Sequence, residues 1–420
     1  MSNKIDDNAV FKRHLNVWKI SRLLAPLYIK NKLGYTYDIA PETFKAPYLV
    51  LSNHNSNFDP VLLGLSFPQH MYFMASEQVY RAGFKSKILK WTFEPISKIK
   101  GATDALAVAK ALRKLRAGKN VCLFPEGNRS FNGKTWRIEN ATGKLVKVSG
   151  AALVTYRLEG VYLSNPRWGT GGVRKGRIHG RIVHYYTAEE LKGMSADEIT
   201  RIIHEDIYED AYAIQEKNPV RYKGKNKAEG MECAVCVCPE CRSIDSIATK
   251  GDTVFCKKCG MSTQYDDYGF FGDGFKFHNL TQWDEWQTEF YRQYIQDSAG
   301  TEEPLFFDTD VRLSKITDDH RETPVGKGTF RLFKDRMDFL AVNGGGYLPH
   351  DIRPAEESGS PMLSIPLESI TAISVFNKCV LCFSDTGGTH YEMRPTDKKQ
   401  IKNFRKYTSA LEILKGIGSD

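Results

Sequence analysis

Six of the nine cysteines crowd between residues 233 and 259, and that cluster divides the chain. Cys238-Pro239-Glu240-Cys241 and Cys256-Lys257-Lys258-Cys259-Gly260 form two CxxC knuckles with 14 residues, 242–255, between them. Each knuckle offers two thiolates on a tight turn, and two such turns complete a tetrahedral zinc site. The first residues are polar and charged, so no secretory signal is expected, and clustered cysteines without one suggest metal rather than disulfides. With all four positions cysteine, no coordination site is left open for substrate, which points to a structural role.

The two sides of the cluster differ. Residues 1–225 carry 36 basic and 20 acidic side chains, whereas the remainder carries 23 and 30. The basic front half suits an anionic partner: nucleic acid, a phospholipid surface or a phosphorylated substrate. Strand-like runs alternate with helical patterns there: Tyr48–Ser52, Met71–Ala75, Ala105–Ala117, Val121–Phe124, Ala151–Tyr156, Arg181–Tyr186 and Ala196–Gln215, the last with Ser195 as N-cap. That alternation argues for an α/β domain built on a sheet. After the cluster come a helical pattern, Trp283–Ile295, a run of short strands from 328 to 393, and a final helix over Lys398–Leu414. Strands followed by one helix read as a small α+β or β-barrel domain. The longest apolar runs, Tyr48–Leu51 and Val61–Phe67, fall far short of the roughly 20 residues that span a bilayer. Val10–Lys32 is a basic helical segment with Val17, Ile20, Leu24 and Leu27 at helical spacing; it is either an interfacial membrane helix or an ordinary packing helix.

Two loops carry chemistry. Asn53-His54-Asn55-Ser56-Asn57-Phe58-Asp59-Pro60 follows a strand. His54 can act as a general base near neutral pH, and Asp59 is close enough in sequence to fix its tautomer. No serine nucleophile is evident, so the base would act on a substrate hydroxyl; taken alone, the pair also fits a surface-loop histidine. Phe124-Pro125-Glu126-Gly127-Asn128-Arg129-Ser130 follows another strand. Its Glu126, Arg129 and Ser130 can bond a polar head group, and Gly127 permits close backbone approach. Taken alone, it also fits a plain strand-to-loop turn.

Together, in this order and about 70 residues apart, the NHxxxxD (HX4D) and FPEGxRS stretches resemble the PlsC-type glycerolipid acyltransferases, which include lysophosphatidic acid acyltransferases. The resemblance covers roughly residues 10–215 and implies that family's sheet with surrounding helices. It implies that His54 is the general base for attack of a glycerolipid hydroxyl on an acyl thioester, oriented by Asp59. It assigns Glu126 and Gly127 to acceptor binding, with Arg129 as a second phosphate ligand. In the family's third box an arginine binds the acceptor phosphate. Here Lys100 stands in that place, supplying a point charge without the bidentate fork. Asn128 stands where Thr or Ser is common, and Thr155 replaces a proline of the fourth box.

Residues 231–265 resemble a zinc ribbon with Cys238, Cys241, Cys256 and Cys259 as ligands, leaving Cys233 and Cys236 free or auxiliary. Asp266, Asp267 and Asp273 make its neighbourhood acidic, so no nucleic-acid partner is expected. Residues 304–415 resemble PH- or GRAM-like domains, with Lys327–Asp335 as a strand and hairpin and Ile401, Phe404, Tyr407 and Leu411 on a plugging helix. Cys379 and Cys382 are expected in a strand of its core, on opposite faces.

The organisation expected is a membrane-contact segment (1–34), an acyltransferase domain (35–222), a linker (223–230), the ribbon (231–265), a helical connector (266–303) and the PH/GRAM-like domain (304–420). The resemblance implies a peripheral enzyme on the cytoplasmic face of a membrane. It would move an acyl group from acyl-CoA or an acyl carrier protein to a lysophospholipid, most concretely 1-acylglycerol-3-phosphate. The partners implied are the anionic surface, the lipid acceptor, the carrier protein as donor, and a protein bound by the ribbon or tail. Two alternatives stay open: a different hydroxyl acceptor, and a catalytically weak lipid-binding adaptor that works through its ribbon and tail.

Overall fold

A computed structural model describes residues 7–81, 83–98, 105–317, 321–341 and 361–416. They form two compact units. One runs to residue 227 and includes 266–270; the other holds 228–265 and the chain from 271 onward.

The first unit is built on seven strands: β1 (Tyr35–Tyr37), β2 (Tyr48–Ser52), β3 (Met71–Ser76), β4 (Ile96–Lys98), β5 (Asn120–Leu123), β6 (Ala152–Glu159) and β7 (Ile178–Tyr186). Their order is β1-β7-β6-β2-β5-β3-β4. Every neighbouring pair is parallel except β6 with β7. All five residues of β2 are buried, as a strand covered on both faces requires, which is why it reads as a continuous apolar run. Three helices, α4 (Ala105–Arg116), α5 (Ala141–Ser149) and α8 (Ala196–Ile207), join the sheet in one core that includes Leu49, Leu51, Ala111, Val121, Val146 and Ile203. Helix α5 approaches α8 so closely that a Cβ on Gly143 would lie 2.0 Å from the Ala196 carbonyl oxygen. Ser195 caps α8 as its sequence indicates: its side chain accepts from Glu198 N–H, while the Glu198 carboxylate accepts from Ser195 N–H.

Helix α1 (Asp7–Leu33) is continuous through Pro26. Its Trp18 is buried against Gly64 of α2 (Asp59–Ser66), and the indole N–H donates to the Phe67 carbonyl at 3.1 Å. The stripe of Ile20, Leu24 and Leu27 lies on the exposed side, with Leu23 79% exposed. Helix α3 (Phe84–Phe93) packs on α1 and adds exposed Phe84, Ile88 and Trp91. None of the described helices is long and apolar enough to cross a membrane.

In the second unit, β8 (Ile247–Lys250), β9 (Thr253–Cys256) and β10 (Ser262–Gln264) form a three-stranded antiparallel sheet beside the CxxC knuckles. Helix α10 (Leu280–Asp297) follows. Seven antiparallel strands come next: β11 (Phe306–Ile316), β12 (Glu322–Leu332), β13 (Arg336–Ala341), β14 (Leu363–Pro366), β15 (Ile370–Phe376), β16 (Val380–Asp385) and β17 (His390–Pro395). Their order is β14-β13-β12-β11-β17-β16-β15. The closing helix α11 spans Arg405–Leu414, shorter than its sequence pattern suggests, and buries Tyr407, Ala410 and Leu411. Cys382 is buried in β16, but Cys379 sits in the turn before that strand rather than within it. Its Sγ lies 3.7 Å from that of Cys233.

Candidate active site

Strand β2 lies between β5 and β6, parallel to both. The loop after β2 and the loop after β5 therefore leave the same edge of the sheet side by side, because Leu51 pairs with Leu123. Ligands of open α/β sheets bind at this carboxyl edge. Parallel pairing thus closes the 70-residue sequence gap between the two loops, and the Ser130 N–H donates to the His54 carbonyl at 2.9 Å.

His54 Nδ1 lies 2.8 Å from Asp59 Oδ2. Asp59 opens helix α2 and is fully buried, whereas the His54 side chain is 22% exposed. The same Oδ2 accepts the backbone N–H groups of Asn55 (2.6 Å) and Ser56 (2.9 Å), and Oδ1 accepts from the Ser56 hydroxyl (2.6 Å). Three donors thus fix the carboxylate before the imidazole meets it. With Nδ1–H donating to Asp59, the neutral ring carries its lone pair on Nε2, the form a general base needs. The ring stacks on Phe124 at 4.3 Å, which joins it to the second loop.

Glu126 is buried, and each of its oxygens accepts a backbone N–H: His54 at 2.6 Å and Trp136 at 2.7 Å. Gly127 has φ +66°, and a Cβ there would meet nothing within 4 Å, so open space lies before it. The Arg129 carbonyl accepts from the Arg167 guanidinium at 2.7 Å. Burial lowers the Arg129 pKa, and the Asp59 charge opposes that. Lys100 lies outside the described residues.

Sequence reading misses Glu209. It sits between α8 and α9 (Ala211–Lys217), outside every motif, and is buried. Its carboxylate accepts from Asn53 Nδ2 (3.0 Å), Asn55 Nδ2 (2.6 Å) and Gly160 N–H (2.8 Å). The available signal is the polar density of Asn53-His54-Asn55 after a buried strand, since buried amides need partners. It does not say which residue answers them.

In the second unit, the sulfurs of Cys238, Cys241, Cys256 and Cys259 all lie within 4.8 Å of one another. Cys238 and Cys259 are 3.6 Å apart, and Cys241 and Cys256 are 3.7 Å apart. A tetrahedral zinc with bonds of about 2.3 Å separates its sulfurs by about 3.8 Å, so the cluster fits that metal. Cys236 is engaged elsewhere, 3.0 Å from the Tyr291 hydroxyl.

Burial pushes the pKa values of Glu126 and Glu209 up to about 8 from the ordinary 4.5; the N–H groups they accept from pull the other way without cancelling it. Between 4.5 and about 8, each carboxyl binds more protons in the folded chain than in the unfolded one. This contribution to stability is complete below 4.5 and is lost as pH rises through about 8. The thermal midpoint of the first unit should therefore fall between about pH 6 and pH 9. Glu126→Gln should lower the midpoint, since its amide opposes one N–H, but flatten the pH slope. A slope as steep in the variant as in the native chain would remove Glu126 from this account.

Residues 35–159, from β1 through β6 and including both loops, match the family model described as Acyltransferase. Among solved structures, the crystal structure of the 1-acyl-sn-glycerophosphate (LPA) acyltransferase PlsC from Thermotoga maritima is 18% identical. The match covers 52% of this chain and 85% of that one, with a TM-score of 0.38. The likeness to acyltransferases in the family model is confined to residues 35–159.

Proposed function

We propose that the protein moves a fatty acyl group from an acyl thioester, of coenzyme A or an acyl carrier protein, to the hydroxyl of a lysoglycerophospholipid. The most concrete acceptor is 1-acylglycerol-3-phosphate, which yields phosphatidic acid. The observation that carries the reading is the bond from His54 to a fully buried Asp59, at the carboxyl edge of the sheet in an acyltransferase domain.

His54 Nε2 removes the proton from the acceptor hydroxyl as its oxygen attacks the thioester carbonyl carbon. Asp59 stabilises the imidazolium that forms. The tetrahedral intermediate collapses, the carbon–sulfur bond breaks, and the leaving thiolate takes the proton from His54. Lys100 and Arg129 hold the acceptor phosphate, and the open space before Gly127 admits the head group. Glu126 acts from behind the loop by holding the His54 backbone. Purified chain with lipid vesicles, lysophosphatidic acid and acyl-CoA or acyl carrier protein should form product. His54→Ala should lower the rate about 10²–10⁴-fold. Activity that survives in the variant would end the assignment of His54.

The lipid surface is met by α1. Ile20, Leu23, Leu24, Leu27 and Tyr28 are exposed, and Lys19, Lys30 and Lys32 beside them are exposed too. Such a face lies in the interface of an anionic membrane and favours a peripheral position on the cytoplasmic side. Leu23→Asp with Leu27→Asp should abolish cosedimentation with phosphatidylglycerol vesicles, whereas undiminished binding would move the contact elsewhere.

In the second unit, the four-cysteine cluster is read as a structural zinc site, and the seven strands with α11 support a PH/GRAM-like module that localises the enzyme or recruits a partner. Bound zinc stabilises the knuckles by folding linkage. Chain purified without chelator should contain one zinc by elemental analysis, and Cys256→Ser should lose it. Metal-free native protein would refute the site.

A further inference from the structure

Glu209 is a buried carboxylate that no motif accounts for. A buried carboxylate costs several kcal/mol unless its surroundings compensate, so its partners show what it is for. Two of the three groups it binds are the side-chain amides of Asn53 and Asn55, the residues on either side of His54. The third is the Gly160 N–H, just past the end of β6.

Both asparagines connect onward. Asn53 donates to the Leu158 carbonyl (2.9 Å) and accepts from the Leu158 N–H (2.7 Å), so its side chain extends the pairing of β2 with β6 by one step. The Asn55 backbone N–H donates to Asp59 Oδ2, the same oxygen that meets His54 Nδ1. Glu209 is itself held at both ends of its peptide: its N–H donates to the Thr135 hydroxyl (2.8 Å), and its carbonyl accepts the Thr135 N–H (2.9 Å). One rigidly mounted carboxyl thus grips the loop on both sides of His54.

We propose that Glu209 is a positioning residue for acyl transfer: by clasping Asn53 and Asn55, it holds the loop in the shape that lets His54 meet Asp59. It touches neither substrate nor the reacting atoms, and it acts through Asn55 and Asp59. The proposal rests on His54 being the general base. Small losses of alignment at such a site cost large factors in rate.

Glutamine at this position cannot satisfy all three donors. One end of the amide is NH₂, which opposes either the Gly160 N–H or the two asparagine amides. The titratable and charged groups around the clasp include Asp59 on α2, Glu126 and Arg129 after β5, Glu159 at the end of β6, and Tyr222.

The test uses the full chain and two readouts. In the transfer assay, Glu209→Gln and Asn55→Ala should each lower kcat at least about tenfold, with KM for donor and acceptor within about twofold. The double variant should be no worse than the worse single one, because both changes break the same linkage. In parallel, histidine-selective NMR should follow titration of the His54 ring, assigned by His54→Gln. A loosened Asp59 contact stabilises the imidazolium less, so the His54 midpoint should move to lower pH by about half a unit or more in Glu209→Gln. A smaller folded fraction would lower kcat but leave that midpoint in place. A His54 midpoint and a kcat both unchanged in the two variants would overturn the proposal. A kcat loss without movement of the midpoint would also overturn it, since that is a folding defect. If Glu209→Gln does not fold, Asn55→Ala carries the same two readouts. A midpoint that moves in a chain whose native form transfers no acyl group would leave the clasp standing and end the acyl-transfer reading instead.

Discussion

The parallel pairing of β2 with β5 is the constraint on which the site depends. Parallel neighbours release their loops at the same edge, so pairing Leu51 with Leu123 delivers both motif loops to one place. Once there, the loops bind each other: the Glu126 carboxylate accepts the His54 N–H, the Ser130 N–H donates to the His54 carbonyl, and the Phe124 ring lies against the imidazole. A one-residue slip of either strand against the other would separate these partners together. The core that buries the sheet therefore also sets the geometry of the His54–Asp59 pair.

The site concentrates buried carboxylates around a single imidazole. Asp59, Glu126 and Glu209 each hold a different part of the same loop: the ring, the backbone at His54, and the two flanking amides. Burial disfavours the charged form of Glu126 and Glu209, and the nearby Asp59 charge raises the pKa of each further. Such an arrangement is expensive in stability relative to an apolar core, and it persists where a unique loop shape is required. Asp59 differs in meeting the imidazole itself, at 2.8 Å, while three other donors hold its carboxylate in place.

What was legible in the sequence follows from the range of the interactions. The alternation of strands and helices, the Ser195 cap and the proximity of His54 to Asp59 depend on neighbours within a few residues, and the structure contains all three. The pairing of the cysteine knuckles was legible for the same reason, since each pair sits on one turn and a short hairpin joins them. Glu209 was not legible, because its two asparagine partners lie more than 150 residues away and no spacing rule links a lone glutamate to them. The strand expected to include Cys379 begins one residue later, after a turn with Asn377 at φ +50°. The apolar stripe of α1 was visible as a pattern, yet periodicity alone does not say which side the core takes. The core takes the side of Trp18, and the leucines are left outside.

The second unit shows the same logic in a different chemistry. Arg405 and Lys406 stand at the start of α11, where a helix terminus disfavours positive charge, and both are buried. Each is matched by carboxylates from elsewhere in the unit. Asp284 of α10 meets the Arg405 guanidinium through both oxygens, and Asp245 between the knuckles and Asp308 of β11 meet the Lys406 ammonium. Burial alone would lower the Lys406 pKa; the two aspartates outweigh it and raise it. Removing one partner of such a pair strands a buried charge, at a cost of about 3–5 kcal/mol. The loop between the cysteine knuckles, the connecting helix and the strands therefore share one set of ion pairs. Order in the knuckle loop carries directly into the seven-stranded sheet, because Asp245 reaches Lys406 only when that loop is folded. A metal that fixes the knuckles would consequently act on the whole unit rather than on a detachable finger.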